Sequence, residues 1–288
     1  MAKATANQDL RSAEAKGKRM VKKAAFNPWM ERLTRLGYAV KGFLYTAIGF
    51  IAIASALGKS KTPADQLGAI STFTRLPAAE PLLWITLIGL ISYALWGLIR
   101  AIFDPLHKGT DLEGLLSRAG YLVSAATYAS FVLPTYDLIR GSRHLSGSTS
   151  TVQMVSTLMS VPMGRWLVGI IGVAAICAGL FQIYSGIKMD FDEVFKPYGL
   201  SAKQLRVARQ LGRYGTIARG VVFALVGFFF GLAAYEANPG SAKGFNGALK
   251  YLEAQPYGLW LLGIVAIGLI AFGIYSFMNA SWFRMKRQ

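Results

Sequence analysis

Acids, thiols and imidazoles are the scarce groups in this chain of 288 residues: 14 Asp and Glu stand against 31 Lys and Arg, with one cysteine and two histidines. A single thiol, Cys177, excludes a disulfide within the chain and a zinc site built from thiolates. His107 and His144 fall in predicted loops on opposite sides, which excludes a bis-histidine haem or a histidine–carboxylate metal centre inside one chain. No glycine-rich phosphate loop ending in Lys and Ser/Thr, no Gly-x-Ser-x-Gly elbow and no His-Glu-x-x-His helix is present. Asp190, Asp192 and Glu193 cluster without the remaining residues of a calcium loop and read as a solvated turn. Neither a metal, a cofactor nor a catalytic residue is expected.

What the chain has is apolar length. Residues are 53% hydrophobic and 16% charged, and the apolar ones gather into six runs of about 20 residues, the length that crosses a bilayer. The net charge of +17 alone is compatible with nucleic acid, but a soluble basic domain has no use for such runs, so no nucleic-acid partner is expected. The predicted spans are 36–57, 82–103, 121–139, 166–187, 217–235 and 260–278. Ala54-Ser55-Ala56 resembles a signal-peptidase site, yet the same helix pattern recurs at 217–235, so the first run reads as a retained span. Twenty-one Lys and Arg fall on the side of the N-terminus and eight on the other, which predicts a bacterial cytoplasmic membrane protein with both termini in the cytoplasm.

Between the spans the chain is organised by charge and proline. Residues 1–32 form a basic tail suited to anionic lipid, or to a solvated arm. After the first span, Thr62-Pro63-Ala64-Asp65 predicts a capped short helix at the outer interface that ends at Pro77, and similar short helices precede Pro162 and Pro256. The third span carries Ser124, Thr127, Ser130, Thr135 and a kinking Pro134, so it is expected inside the bundle, its hydroxyls bonded to neighbours. Gln182 in span 4 is read as a link between helices, and Asp137 and Glu236 as solvated rim residues. In the linker 190–212 and just beyond, Lys203, Arg206, Arg209 and Arg213 form the basic face of an amphipathic helix expected on the inner membrane surface.

A repeat underlies this order. Arg35-Leu36-Gly37-Tyr38, Arg118-Ala119-Gly120-Tyr121 and Arg213-Tyr214-Gly215-Thr216 each open a span, with Tyr45, Tyr128 and Phe223 ten residues after the arginine. From that arginine to the proline before the next span is 42, 44 and 43 residues. One unit is therefore span, short helix, proline, span, giving repeats at 33–104, 116–189 and 213–285. The third copy, Gln255-Pro256-Tyr257-Gly258-Leu259-Trp260, is the fullest, and the first departs from it at Pro77-Ala78-Ala79. In this pattern the chain resembles the bacterial membrane proteins of the domain-of-unknown-function 1206 family, which carry a two-span unit three times. The resemblance implies a fold and no catalytic residue.

Two spans per unit make all three copies point the same way, so an all-α integral membrane fold is expected: six transmembrane helices as three parallel two-helix repeats in a pseudo-threefold bundle or an open arc. The repeat places Lys41, Ser124 and Arg219 at one level, six residues past the lead arginine and about 9 Å deeper at about 1.5 Å per residue. Two cations and a hydroxyl there suit an anion, a lipid headgroup or a partner's carboxylate; the alternative is that both long side chains snorkel to the headgroups. Three functions follow: a non-enzymatic component that binds membrane lipid, anionic above all, or a partner membrane-protein complex; a pore or transporter for a small anion or amphiphile; and, least supported, a lipid-modifying enzyme.

Overall fold

Proline at the first helical position leaves no hydrogen bond unmade, and Pro28 opens α1 (Pro28–Ala56), the first span. The computed structural model describes residues 28–104, 109, 111–141, 147–188 and 201–282. The basic tail before residue 28, His107, His144, the acidic group Asp190, Asp192 and Glu193, and the closing Arg284, Lys286 and Arg287 lie outside the described residues. After α1 come α2 (Gln66–Ser71) with a 3-10 turn (Thr72–Arg75), and α3 (Ala79–Phe103), the second span. The third span is made of α4 (Leu112–Ala129) and α5 (Val132–Ile139). Then follow α6 (Gly147–Met159), α7 (Gly164–Lys188), α8 (Ala202–Glu236), α9 (Phe245–Glu253) and α10 (Gly258–Trp282). Every described element is helical, and six are long and apolar enough to cross a bilayer, so this is an all-α, multi-pass membrane protein.

Small residues decide which spans meet. Gly42 and Gly49, seven apart on α1, lie against Gly273 and Ala266 of α10; Gly220 and Gly227 of α8 meet Gly179 and Gly172 of α7 in the same way. At the corresponding level Ala125 of α4 touches Gly97 of α3. These are three seams of one kind, each joining the first span of a repeat to the second span of another. Within repeats 1 and 3 the two spans also pack together: an added Cβ at Gly37 would stand 2.9 Å from the Tyr93 Cβ, and one at Gly215 2.5 Å from the Phe272 Cα.

Repeat 2 breaks the pattern. Gly120, the counterpart of Gly37 and Gly215, has nothing within 4 Å of an added Cβ. Val123 is 44% exposed, whereas its counterparts Val40 and Ala218 are each 8% exposed. The main packing partners therefore run span 3, 2, 1, 6, 5, 4, an open arc whose two ends are the two spans of repeat 2. A closed pseudo-threefold ring would need spans 3 and 4 to pack as the other pairs do.

Several expectations are corrected here. Span 3 is peripheral, not buried: 17% of its most apolar stretch is buried, against 50% for span 1. Its hydroxyls need no neighbouring helix, because Thr127 donates to the Val123 carbonyl, Ser130 to Thr127 and Thr135 to Phe131. Pro134 has no N–H for the Ser130 carbonyl, and the helix is interrupted at Ser130 and Phe131, between α4 and α5. Gln182 likewise donates to the Ala178 carbonyl of its own helix rather than across to another.

Two of the short helices, α2 and α9, are packed into the bundle as well as lying at its far end. Leu67, Ala69 and Ile70 of α2 and Ala248 and Leu249 of α9 are buried among the spans. The Ala64 N–H donates to the Asn246 side chain and ties α2 to the start of α9. The cap of α2 is Asp65, which accepts from the Gly68 N–H at 2.8 Å, and not Thr62. Finally, the basic segment after Ser201 is no separate surface helix. Ser201 and Gln204 form a capping box, and α8 then runs unbroken for 35 residues, so Lys203, Arg206, Arg209 and Arg213 occupy the first turns of the fifth span.

The departure of the first repeat at its proline has a structural reason. In repeats 2 and 3, Met163 and Tyr257 take φ of 62° and the next glycine lies against a carbonyl, where a Cβ would sit 1.7 Å (Gly164) or 1.8 Å (Gly258) from the oxygen. In repeat 1 Ala78 has φ of −103° and no such turn forms, so Ala79 is tolerated.

Candidate functional site

Lys41 sits on α1 in the half of the bundle nearer the start of that helix, and it is 7% exposed. Its ammonium does not reach out to the surface. It donates to the Tyr93 hydroxyl at 2.9 Å and lies over the rings of Tyr93 and Phe272 at 5.0 and 4.8 Å from their centroids. Arg219 on α8 donates from Nε to the Tyr45 hydroxyl at 2.8 Å and stacks on Tyr45, Phe223 and the same Phe272. Lys41 and Arg219 thus meet across one aromatic ring. They come together because Gly42, next to Lys41, and Gly215, one turn before Arg219, let α1 and α8 each approach α10 to backbone contact.

A third cation joins them. Arg100 of α3 is 6% exposed, donates to the Tyr38 hydroxyl at 3.4 Å and lies over the rings of Tyr121, Trp96 and Tyr93. Its Nε is buried without a hydrogen-bond partner, and the Tyr128 ring packs on Tyr93 at 4.5 Å. Span 3 contributes Tyr121 and Tyr128, and Ser124 shares their helical face. Ser124 is half-buried and makes no hydrogen bond to either cation among the described residues. The basic residues Lys203, Arg206 and Arg209 of α8 lie at its start and take no part in the centre; the backbone of Arg213 packs towards Gly186.

Among the described residues no carboxylate pairs with Lys41, Arg100 or Arg219; the ion pair that does occur, Arg35 with Glu31 at 2.8 Å, is at the start of α1. Tyrosine hydroxyls and aromatic faces stand in place of counter-charges, each cation–ring contact contributing about 0.5–2 kcal/mol. Repulsion remains. Lys41 and Arg219 are 4.8 and 5.2 Å from one ring centroid, hence no more than about 10 Å apart, which costs about 1.7 kcal/mol or more at an effective dielectric of about 20. An anion placed between them would relieve that repulsion and accept from the donors left over, such as Arg100 Nε.

Towards the far end of the bundle the centre is covered. Phe245, at the start of α9, packs edge-on against Tyr45 and Phe223 at 6.1 and 6.4 Å, and the buried α2 and α9 lie at that end. A cleft of about 760 Å³ lined by Lys59, Lys61, Arg75 and Leu138 opens at that far end, away from the cations. Other arginines are engaged elsewhere: Arg118 donates to the Ala101 and Ile102 carbonyls at the end of α3, and Arg165 to those of Ala234 and Tyr235 at the end of α8. Cys177 is exposed on α7.

Sequence reasoning brought Lys41 and Arg219 to one level and missed Arg100, Tyr93 and Phe272. Two signals were there to be used. Tyr93 and Phe272 both lie 16 residues after the proline that precedes their span, and Arg100 is a charge inside an apolar run.

Comparison with known proteins gives a family and no activity. The model of the family described as Domain of Unknown Function (DUF1206) matches three times, over residues 36–104, 119–189 and 214–282. "Uncharacterized protein YxxB" of Bacillus subtilis (strain 168) is 33% identical over 258 residues, which is 90% of this chain and 93% of that protein. No solved structure matches significantly.

Proposed function

This chain belongs to the DUF1206 family, and from that premise we propose that it is a non-catalytic binding component of the bacterial cytoplasmic membrane, holding an anionic group of a lipid or of a partner complex at Lys41, Arg100 and Arg219. The observation that carries this reading is a set of three cations, Lys41 and Arg100 buried and Arg219 half-buried, that no carboxylate pairs with among the described residues. The excess of Lys and Arg on the side where spans 1, 3 and 5 begin supports cytoplasmic termini, with the centre in the inner half of the bilayer. Against a pore speaks the far end, where Phe245, α2 and α9 cover the centre with apolar side chains.

Native mass spectrometry of the full chain in mild detergent tests the reading. The expected result is a retained anionic lipid or a stoichiometric partner, lost when Lys41 and Arg219 are both changed to Leu. A wild-type protein that flies bare would overturn it. Anion flux in proteoliposomes, abolished by the same double change, would replace it with the pore.

A further inference from the structure

The opening in the helix arc lies beside the cation centre, and both of its walls are written in the repeat. In repeats 1 and 3 the two spans of a unit close on each other through Gly37 with Tyr93 and Val40 with Gly89, and through Gly215 with Phe272 and Ala218 with Gly268. The same positions of repeat 2 are small or aliphatic: Gly120 and Val123 on span 3, Ala174 and Ala178 on span 4. They are not closed, since Gly120 meets nothing, Val123 and Ala174 are exposed and Ala178 is half-buried.

At two positions of the centre repeat 2 has small side chains where repeats 1 and 3 have large ones. Ser124 stands where the other repeats have Lys41 and Arg219, and Ala178 where they have Tyr93 and Phe272, while the position of Arg100 is Ser185 in repeat 2 and Asn279 in repeat 3. Span 3 still brings the rings of Tyr121 and Tyr128 to the centre, but repeat 2 adds no cation, and span 4 adds no ring where spans 2 and 6 have Tyr93 and Phe272. Exposure agrees: Lys41 and Arg100 are buried, while Arg219, on the span next to span 4, is half-buried.

We infer that the gap between spans 3 and 4 is a lateral portal, through which the phosphate of an anionic lipid reaches Lys41, Arg100 and Arg219 while its acyl chains stay outside. This rests on the binding function proposed above and adds the ligand class and its route. A phosphate offers acceptors to several donors at once, which suits two guanidinium groups and an ammonium that no carboxylate among the described residues neutralises. Inorganic phosphate has the same chemistry, but the route favours the lipid. The portal walls are apolar, and spans 3 and 4 are each only 17% buried over their most apolar stretch, leaving aliphatic surface for acyl chains.

The test uses the full-length chain in nanodiscs of phosphatidylcholine doped with phosphatidylglycerol, with retained lipid counted by native mass spectrometry. Ala178→Phe writes into repeat 2 an aromatic like those at positions 93 and 272; Ser124→Phe narrows the portal from the other wall; Val173→Phe is the control on the lipid face. Wild type and Val173→Phe should retain phosphatidylglycerol over phosphatidylcholine, and both portal variants should lose retention at least tenfold while eluting as folded protein. If one portal variant does not fold, the other decides. Unchanged retention in a folded portal variant overturns the portal and leaves the binding function standing. Displacement of the lipid by millimolar inorganic phosphate would make the free ion the ligand. Retention of a protein instead of lipid would overturn the lipid, and retention of nothing would remove the binding function itself.

Discussion

Repeats 1 and 3 each bring their two spans into backbone contact at the second residue after the lead arginine, whereas repeat 2 keeps the glycine at that position and leaves it uncovered. All three repeats nevertheless make the other kind of seam, between the first span of one unit and the second span of another. The difference teaches that contact between units is the more strongly specified of the two. A unit can part its own spans without losing its place, provided its neighbours hold it on both sides. Repeat 2 is held in this way, by Ala125 against Gly97 at one end and by the glycines of α7 against those of α8 at the other.

The sharpest way to break the comparison is to fill the three equivalent glycines. Gly37→Leu or Gly215→Leu forces a side chain into the backbone of the facing span and should cost about 3 kcal/mol or prevent folding, while Gly120→Leu should stay within about 1 kcal/mol of wild type. Thermal unfolding in detergent, followed by size-exclusion chromatography, reads the ordering; equal losses at all three would mean that spans 3 and 4 close. Next comes the centre against the periphery. Tyr93→Phe removes the acceptor of Lys41 and should cost about 2 kcal/mol, whereas Tyr184→Phe, on exposed span 4, should cost almost nothing. Adding Lys41→Met to Tyr93→Phe should restore most of the loss, because the stranded charge goes with its partner. A double variant less stable than Tyr93→Phe alone would show that the aromatic rings hold the ammonium unaided.

A smaller effect compares the capped short helix of repeat 1 with that of repeat 3, whose cap position is Gly244 and offers no side chain. Asp65→Ala should lower stability by about 1 kcal/mol through loss of the cap at Gly68, and Asp65→Asn, which keeps an acceptor, should not. Burial pushes the Asp65 carboxyl above its ordinary value, partly opposed by the N–H groups of Gly68 and Leu67. The folded state thus favours the protonated acid, and this contribution is present at low pH and lost as pH rises through the raised value. Chemical denaturation across that range should find Asp65→Asn gaining on wild type as pH rises; a gap that narrows would contradict this.

Much of the architecture was legible in the residues. The number of spans follows from apolar length, which is a local property, and the unit follows from the spacing between arginine and proline. Lys41 and Arg219 were brought together by the same register. What escaped was decided by choice of partner. Gly37, Gly120 and Gly215 carry one signature, and nothing in it says that only two are covered. Span 3 looked like an interior helix because of its hydroxyls, which instead bond within their own helix. The short helices looked superficial because their length forbids crossing, yet Ile70 and Leu249 are among the most buried side chains of the protein. Arg100 lay within the expected second span, and nothing local to it shows that it turns inward and closes the cation set.

The seam between the first and the last span has a consequence for biogenesis. Lys41 is threaded into the bilayer early, but Phe272, the ring it shares with Arg219, emerges from the ribosome more than two hundred residues later. Until then the ammonium has Tyr93 of the second span but lacks the Phe272 ring on its other partner helix, and the glycine stripe of α1 faces lipid. A chain stalled after its fifth span should therefore be a substrate for membrane quality control, and release of the complete polypeptide is the event that seals its centre.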